Sequence, residues 1–244
     1  MRWNALFHRV ALLPAMHAAI VLAMPKPNAI VCVLAVASAA LPALVSAATR
    51  DFRFDLVHTQ VLVSANHLGY SHPLGRLHVK SGWFRFDADD WPQAQVDVLI
   101  DTTSIDMGET KWNEAMRGGD FLASERYPTA HYVSTKAEKT GDNKGTVHGK
   151  LTLRGVTRPL DLEVTFNRAG ADPYTFKWTA GFSATAQLRR SDFGIQKYLP
   201  DIGDVVTIHI EAEGLRDGDA QDKATRANGA NDADKNDSKR NDAE

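Results

Sequence analysis

The chain has 244 residues, 43% of them hydrophobic and 24% charged, the make-up of an ordinary globular protein of one or two domains. A formal net charge of −2 offers no electrostatic footprint for nucleic acid, which is therefore excluded as the expected partner. With Cys32 as the single cysteine, no disulfide framework is available and stability must come from packing.

Residues 1–47 contain no Asp or Glu; Lys26 precedes an apolar run that closes on Val45-Ser46-Ala47. A basic start, an apolar stretch and small residues at −3 and −1 predict a secretory signal peptide cleaved before Ala48. Met24-Pro25-Lys26 would itself open a signal of usual length, which makes Met24 an alternative start. The rival is an uncleaved anchor, since about 20 apolar residues can span a bilayer. Pro42 and the many alanines weaken the segment as a permanent span, so none is expected after cleavage. Cleavage removes Cys32 together with Arg2, Arg9 and Lys26 and no acid, leaving a formal charge of about −5 and no thiol chemistry.

The folded part is expected over residues 48–215. Phe52 to Asp55 opens it, and Val61, Val63 and Ala65 alternate with polar or opposite-facing residues until His67-Leu68-Gly69. Gly75 to Asp87 reads as a strand whose alternation breaks at Gly82, the mark of a β-bulge, before Phe84 and Phe86 resume the apolar face. A third strand starts at Pro92 and carries Val96, Val98 and Ile100. From Met107 to Gly118 the period changes to that of a short helix, the one substantial helix expected, with Trp112, Ala115 and Met116 recurring. Ala130, Tyr132 and Ser134 begin another strand after Pro128.

The stretch from Gly145 to Phe166 is an amphipathic hairpin: Val147, Leu151 and Leu153, a turn at Arg154-Gly155, then Leu160, Leu162, Val164 and Phe166. Pro159 has no amide to donate and is expected at the start of the second strand. Tyr174 to Leu188 alternates as one long strand, and Val206, Ile208 and Ile210 close the series. Residues 216–244 hold no aromatic, Val, Ile or Leu, and predict a disordered charged tail that folding does not need.

About eight antiparallel strands and one helix predict an all-β closed barrel, a size that holds either packed side chains or one small ligand. Ala65, Gly149, Ala180, Ala184 and Ala186 are small where a filled barrel would favour bulk, beside Phe84, Phe86, Tyr132 and Phe182. They indicate an elongated apolar cavity; tight packing between strands is the alternative. The residues expected to line such a cavity are Val61, Val63, His67, Leu77, Phe84, Phe86, Val98, Ile100, Tyr132, Leu151, Leu153, Phe182 and Ala184.

Several blocks carry a family resemblance. His67-Leu68-Gly69-Tyr70-Ser71 with Gly75, Phe84-Arg85-Phe86-Asp87 and Ile100-Asp101-Thr102-Thr103-Ser104-Ile105-Asp106 are followed by Asp120-Phe121-Leu122 and Tyr127-Pro128. Gly149 to Pro159 and Arg190-Ser191-Asp192-Phe193-Gly194-Ile195 complete the set, and together the blocks resemble the YceI-like family over about residues 52 to 213. The resemblance implies a lipocalin-like antiparallel barrel holding a polyisoprenoid, a polyprenyl quinone or polyprenyl phosphate, usually in the bacterial periplasm. It is compatible with a homodimer and implies no cofactor beyond the bound lipid. Leu77 stands where the family commonly has Phe, and the charged tail lies outside its pattern.

Catalytic chemistry is not expected. There is no G-x-S-x-G elbow, and Asp101 and Asp106 sit where Asp and Ser cap backbone amides. His58, His67, His72 and His78 do not form a metal-binding pattern; His58 and His67 are expected to hydrogen-bond near the barrel mouth and His78 to face solvent. Arg117, Arg154, Arg158, Arg189 and Arg190 lie near loops, either as solvated charges or with one or two reaching an anionic head group. Three readings follow: a lipid-binding barrel, an enzyme using the same cavity on a lipid, or a ligand-free interaction barrel.

Overall fold

A computed structural model describes residues 50–229. The expected signal peptide, with its cleavage site and Cys32, and the tail beyond residue 229 lie outside the described residues. Nine strands form one antiparallel sheet: β1 (Arg50–Phe54), β2 (Gln60–His67), β3 (Leu74–Phe86), β4 (Gln95–Asp106), β5 (Thr129–Lys139), β6 (Lys144–Leu153), β7 (Val156–Ala171), β8 (Trp178–Arg189) and β9 (Ile202–Arg216). From β2 the order runs through β9, β8, β7, β6, β5 and β4, and pairing of β4 with β3 closes the ring. Both β1 and β2 lie between β3 and β9, one after the other along the same position. The barrel therefore has eight strand positions, the first filled by two collinear segments. Asp55 makes the break between them, its carboxylate accepting from the Val57 amide at 3.0 Å.

The β6–β7 hairpin turns on two residues of positive φ, Arg154 at 51° and Gly155 at 74°. That is the twist a two-residue hairpin loop requires. Pro159 is not the first residue of β7 but its fourth, opposite Lys150. It is tolerated because β7 pairs with β8 only from Glu163 onward, so one edge of the strand is free at Pro159. The bulge in β3 falls at Lys80, where the register against β4 slips between Val79 and Ser81, two residues before Gly82. The third strand begins at Gln95 and not at Pro92, which belongs to a short 3₁₀ turn, Trp91–Gln93.

A helix, α1 (Thr110–Arg117), follows β4; the Glu109 carboxylate caps it by accepting from the Trp112 amide at 2.8 Å. The expected long strand from Tyr174 is shorter: β8 starts at Trp178, and Tyr174 and Phe176 are exposed in the preceding turn. Asp172 holds that turn by accepting from the amides of Tyr174 and Thr175 at 3.0 and 2.6 Å. The apparent alternation there belongs to a loop.

The first part of the expected disordered tail is ordered. Residues 220–229 form a second helix, α2, and Ala220 and Ala224, one turn apart, pack with Trp83 into a small cluster of their own. Phe84 faces the interior of the barrel; Trp83, its neighbour on β3, points outward and is only 5% exposed because α2 covers it. The Asp217 amide donates to the Asp51 carbonyl at 2.9 Å, and Ser81 Oγ donates to Asn228 Oδ1 at 3.1 Å, pinning the helix at both ends. The sequence of the tail lacks large apolar groups, but alanine is the best helix former, and the bulk needed for packing comes from Trp83. Truncation after Arg216 should uncover the indole and lower stability by about 1 kcal/mol, a fall of roughly 2–4 °C in Tm. Tryptophan emission shifted to the red together with that fall is the expected result; an unchanged Tm and spectrum would contradict the docking.

Candidate ligand cavity

Alternation along each strand sends one set of side chains inward, and at one end of the barrel these are aromatic. Phe52 stacks on Phe84 at 4.9 Å between ring centroids, and Phe86 meets Phe182 edge-on at 4.8 Å and Trp91 at 5.1 Å. Rings of this size need wall positions without side chains. A Cβ at Gly214 would lie 2.2 Å from the Phe84 ring, and one at Gly145 would lie 2.2 Å from Trp91. Gly149 serves the same end, since a Cβ there would come within 2.4 Å of Tyr132.

Beyond this floor the interior is open. Two lobes of about 160 and 210 Å³ follow one another along the barrel and meet at Val61, Ile100, Leu151 and Ile208, which line both. The first lobe lies against the aromatic floor and includes Trp91. The second reaches the end where α1 and the loops after β2 and β8 gather, and its lining there includes Asn66, His67 and the exposed Trp112. The walls are almost wholly aliphatic or aromatic, the kind of surface that receives a hydrocarbon chain.

All thirteen residues expected from the sequence to line a cavity do line it. Phe84, Phe86, Val98, Tyr132, Phe182 and Ala184 face the first lobe, and Val63, His67, Leu77 and Leu153 the second. Val61, Ile100 and Leu151 border both. The five small residues divide between the two meanings given to them. Ala184 and Ala65 border open space, Gly149 makes room for the Tyr132 ring, and Ala180 and Ala186 are buried without lining either lobe. Tyr132 is polar but satisfied: its hydroxyl donates toward the carbonyls of Val147 (3.0 Å) and Leu160 (3.3 Å), and burial pushes its pKa far above the usual phenol value.

Sequence reasoning missed Trp91, in a 3₁₀ turn where no alternation marks the inward face, and Met107, Met116 and Phe121 from the α1 region. The sequence places Arg190 among the loop cations, yet it is 4% exposed and lines the second lobe. The histidines expected together near one mouth are separated: His67 closes β2 beside Trp112, while His58 precedes β2 at the opposite end. The His58 ring donates to Asp55 at 3.0 Å, which raises its pKa. His78 is exposed as expected and accepts from Arg76.

Asp101 and Asp106 serve as caps, as expected. Asp101 accepts from the amide and hydroxyl of Thr103 (2.9 and 2.6 Å), and Asp106 from the Gly108 amide (2.9 Å) and Asn113 (3.1 Å). Among the described residues, Asp55, His58 and Glu213 bring three metal-ligand atoms within 4.8 Å of one another. Asp55 is already engaged there by the Val57 amide and His58. No described helix is long and apolar enough to cross a membrane.

The model of the YceI-like domain matches residues 52–214, two-thirds of the chain and all of the barrel but two residues at each end. The chain belongs to the YceI-like family. The YceI-like domain ends within β9, so α2 lies beyond it, and all thirteen expected lining residues lie inside it. Among curated relatives, a UPF0312 protein of Vibrio parahaemolyticus is 37% identical over 161 residues, covering 65% of this chain and 82% of the relative. A UPF0312 protein of Shewanella oneidensis is 34% identical over 180 residues, covering 74% and 94%. Among solved structures, BcnA of Burkholderia cenocepacia superposes with a TM-score of 0.58 at 25% identity, over 66% of this chain and 98% of BcnA. A polyisoprenoid binding domain from Saccharophagus degradans shares the fold with a TM-score of 0.52 at 14% identity, over 68% of this chain and 98% of that domain.

Proposed function

We propose that this YceI-like protein is an exported, non-catalytic carrier or store for a polyisoprenoid or similar long-chain amphiphile, held in the barrel within the periplasm. A polyprenyl quinone or a polyprenyl phosphate belongs to this class of ligand. The observation that carries the reading is the pair of apolar lobes inside the barrel, which share Val61, Ile100, Leu151 and Ile208 as walls. The fold shared with a polyisoprenoid binding domain supports the same class of ligand. The carboxylates of Asp101 and Asp106 are spent on backbone and side-chain caps, which favours binding over acid–base chemistry.

Burying about 500 Å² of hydrocarbon at about 25 cal/mol/Å² gives a gross gain of about 12 kcal/mol. Lost translational freedom and chain ordering take back a large share. The tail of the ligand would supply most of the affinity. Titration with the C15 prenol farnesol tests the reading, because Trp91 and Trp112 border the two lobes and report occupancy. A saturable change in tryptophan emission at about one ligand per chain is expected. A linear, unsaturable response would contradict a bounded site.

A further inference from the structure

Arg190 stands apart from the other cations of the barrel. It is 4% exposed, borders the second lobe, and among the described residues makes no ion pair with a carboxylate. Its Nε donates to the Gly203 carbonyl at 2.9 Å, Nη1 to Ile195 at 3.1 Å and Nη2 to Ile202 at 2.8 Å. A guanidinium carries five N–H groups, so one on each terminal nitrogen is left over after these three bonds. The nearest acid is turned to other donors: Asp204 accepts from the Ser191 amide and hydroxyl, each at 2.9 Å, and from Arg189 at 3.5 Å. Asp204 does act on Arg190 through space, but burial is the larger influence and works against the charged form. Three carbonyls satisfy hydrogen bonds without neutralising a charge, and an uncompensated buried charge is costly. The remaining polar groups bordering this lobe, Ser64, Asn66, His67 and Thr102, add no carboxylate.

We propose that Arg190 is the specificity-determining residue of the cavity and selects amphiphiles whose head group is anionic, a phosphate or a carboxylate. Two N–H groups fixed in one plane match two oxygens of such a head. The Ile195 carbonyl and those of Ile202 and Gly203 at the start of β9 hold the guanidinium in place, so it is pre-organised before ligand enters. The inference rests on the proposed lipid-binding function and adds the charge of the head group to it.

The test compares two matched pairs, farnesyl monophosphate with farnesol and palmitate with hexadecanol, on the wild-type protein by competition against a fluorescent fatty-chain probe. The anionic member of each pair should bind about tenfold or more tightly than the neutral one. A preference confined to the phosphate pair assigns a phosphate head, and one confined to palmitate a carboxylate. Arg190→Gln should abolish the preference, so that the two members of each pair bind alike, and Arg190→Lys should keep part of it. Equal wild-type affinities within both pairs would overturn the proposal even if the variants fail to fold. Retention of the preference in folded Arg190→Gln would overturn it too. Failure of all four amphiphiles to displace the probe would instead sink the lipid-binding reading on which the proposal stands.

Discussion

Gly214→Ala should destabilise the barrel by about 2–3 kcal/mol, although it adds only a methyl group. The new Cβ would lie 2.2 and 2.3 Å from two atoms of the Phe84 ring and 3.1 Å from Phe52 Cβ. Phe84 has little room to give. It is stacked on Phe52, lies 5.2 Å from Phe54, and meets Phe182 edge-on at 5.4 Å. The strand cannot easily retreat either, since Gly214 is paired with Phe54 on one side and Ala180 on the other. Urea unfolding should show the loss as a lower midpoint, and thermal unfolding as a fall of roughly 5–10 °C. Phe84→Leu, destabilising by itself, should relieve part of the clash, so the double variant should be more stable than the sum of the two single losses predicts. Strict additivity would show that the ring and the glycine do not share this space.

Ala184→Trp should abolish ligand retention while the barrel stays folded. Ala184 is buried, borders the first lobe, and sits between Val164 of β7 and Ile210 of β9, which border the same space. An indole at this position would occupy volume that a hydrocarbon chain would otherwise fill. In a ligand-holding barrel the change should cost little stability. In a tightly filled one it would overpack, at about 1–3 kcal/mol. Ala184→Asp is the companion: a carboxylate among Phe182, Leu162 and Val164 has no partner and should destabilise the fold strongly. Extractable lipid and Tm are measured for both variants beside wild type. Full lipid content and full stability in Ala184→Trp would mean that this side chain does not face the cavity.

Period-two alternation made most of the barrel readable in advance. Val147, Leu151 and Leu153 face inward because successive strand residues take opposite faces, and a one-residue slip would have exposed them all. The same rule failed at Tyr174 and Phe176, where alternation continues through a turn fixed by the Asp172 carboxylate. Alternation says which face a residue shares, not whether a strand exists. Residue size was a second partial guide: Ala184 does border open space, but the room beside Gly149 belongs to Tyr132, a partner on the neighbouring strand β5.

Two features depended on contacts that the pattern of side chains along the sequence does not record. Ala220 and Ala224 look too small to hold a helix in place until Trp83, far away in sequence, is seen beneath them. Arg190 has the appearance of a solvated loop cation because its partners are backbone carbonyls of residues 195, 202 and 203, which leave no mark in side-chain chemistry.

The mass of freshly purified wild-type protein tests the central claim most directly. Gentle native mass spectrometry, paired with solvent extraction of the same sample, reads both the complex and the identity of what it holds. A binding barrel predicts a species heavier than the chain by one long-chain amphiphile, recovered as isoprenoid or related lipid in the extract and missing from Ala184→Trp. A wild-type protein that flies only at its bare mass and yields no amphiphile on extraction would contradict the account.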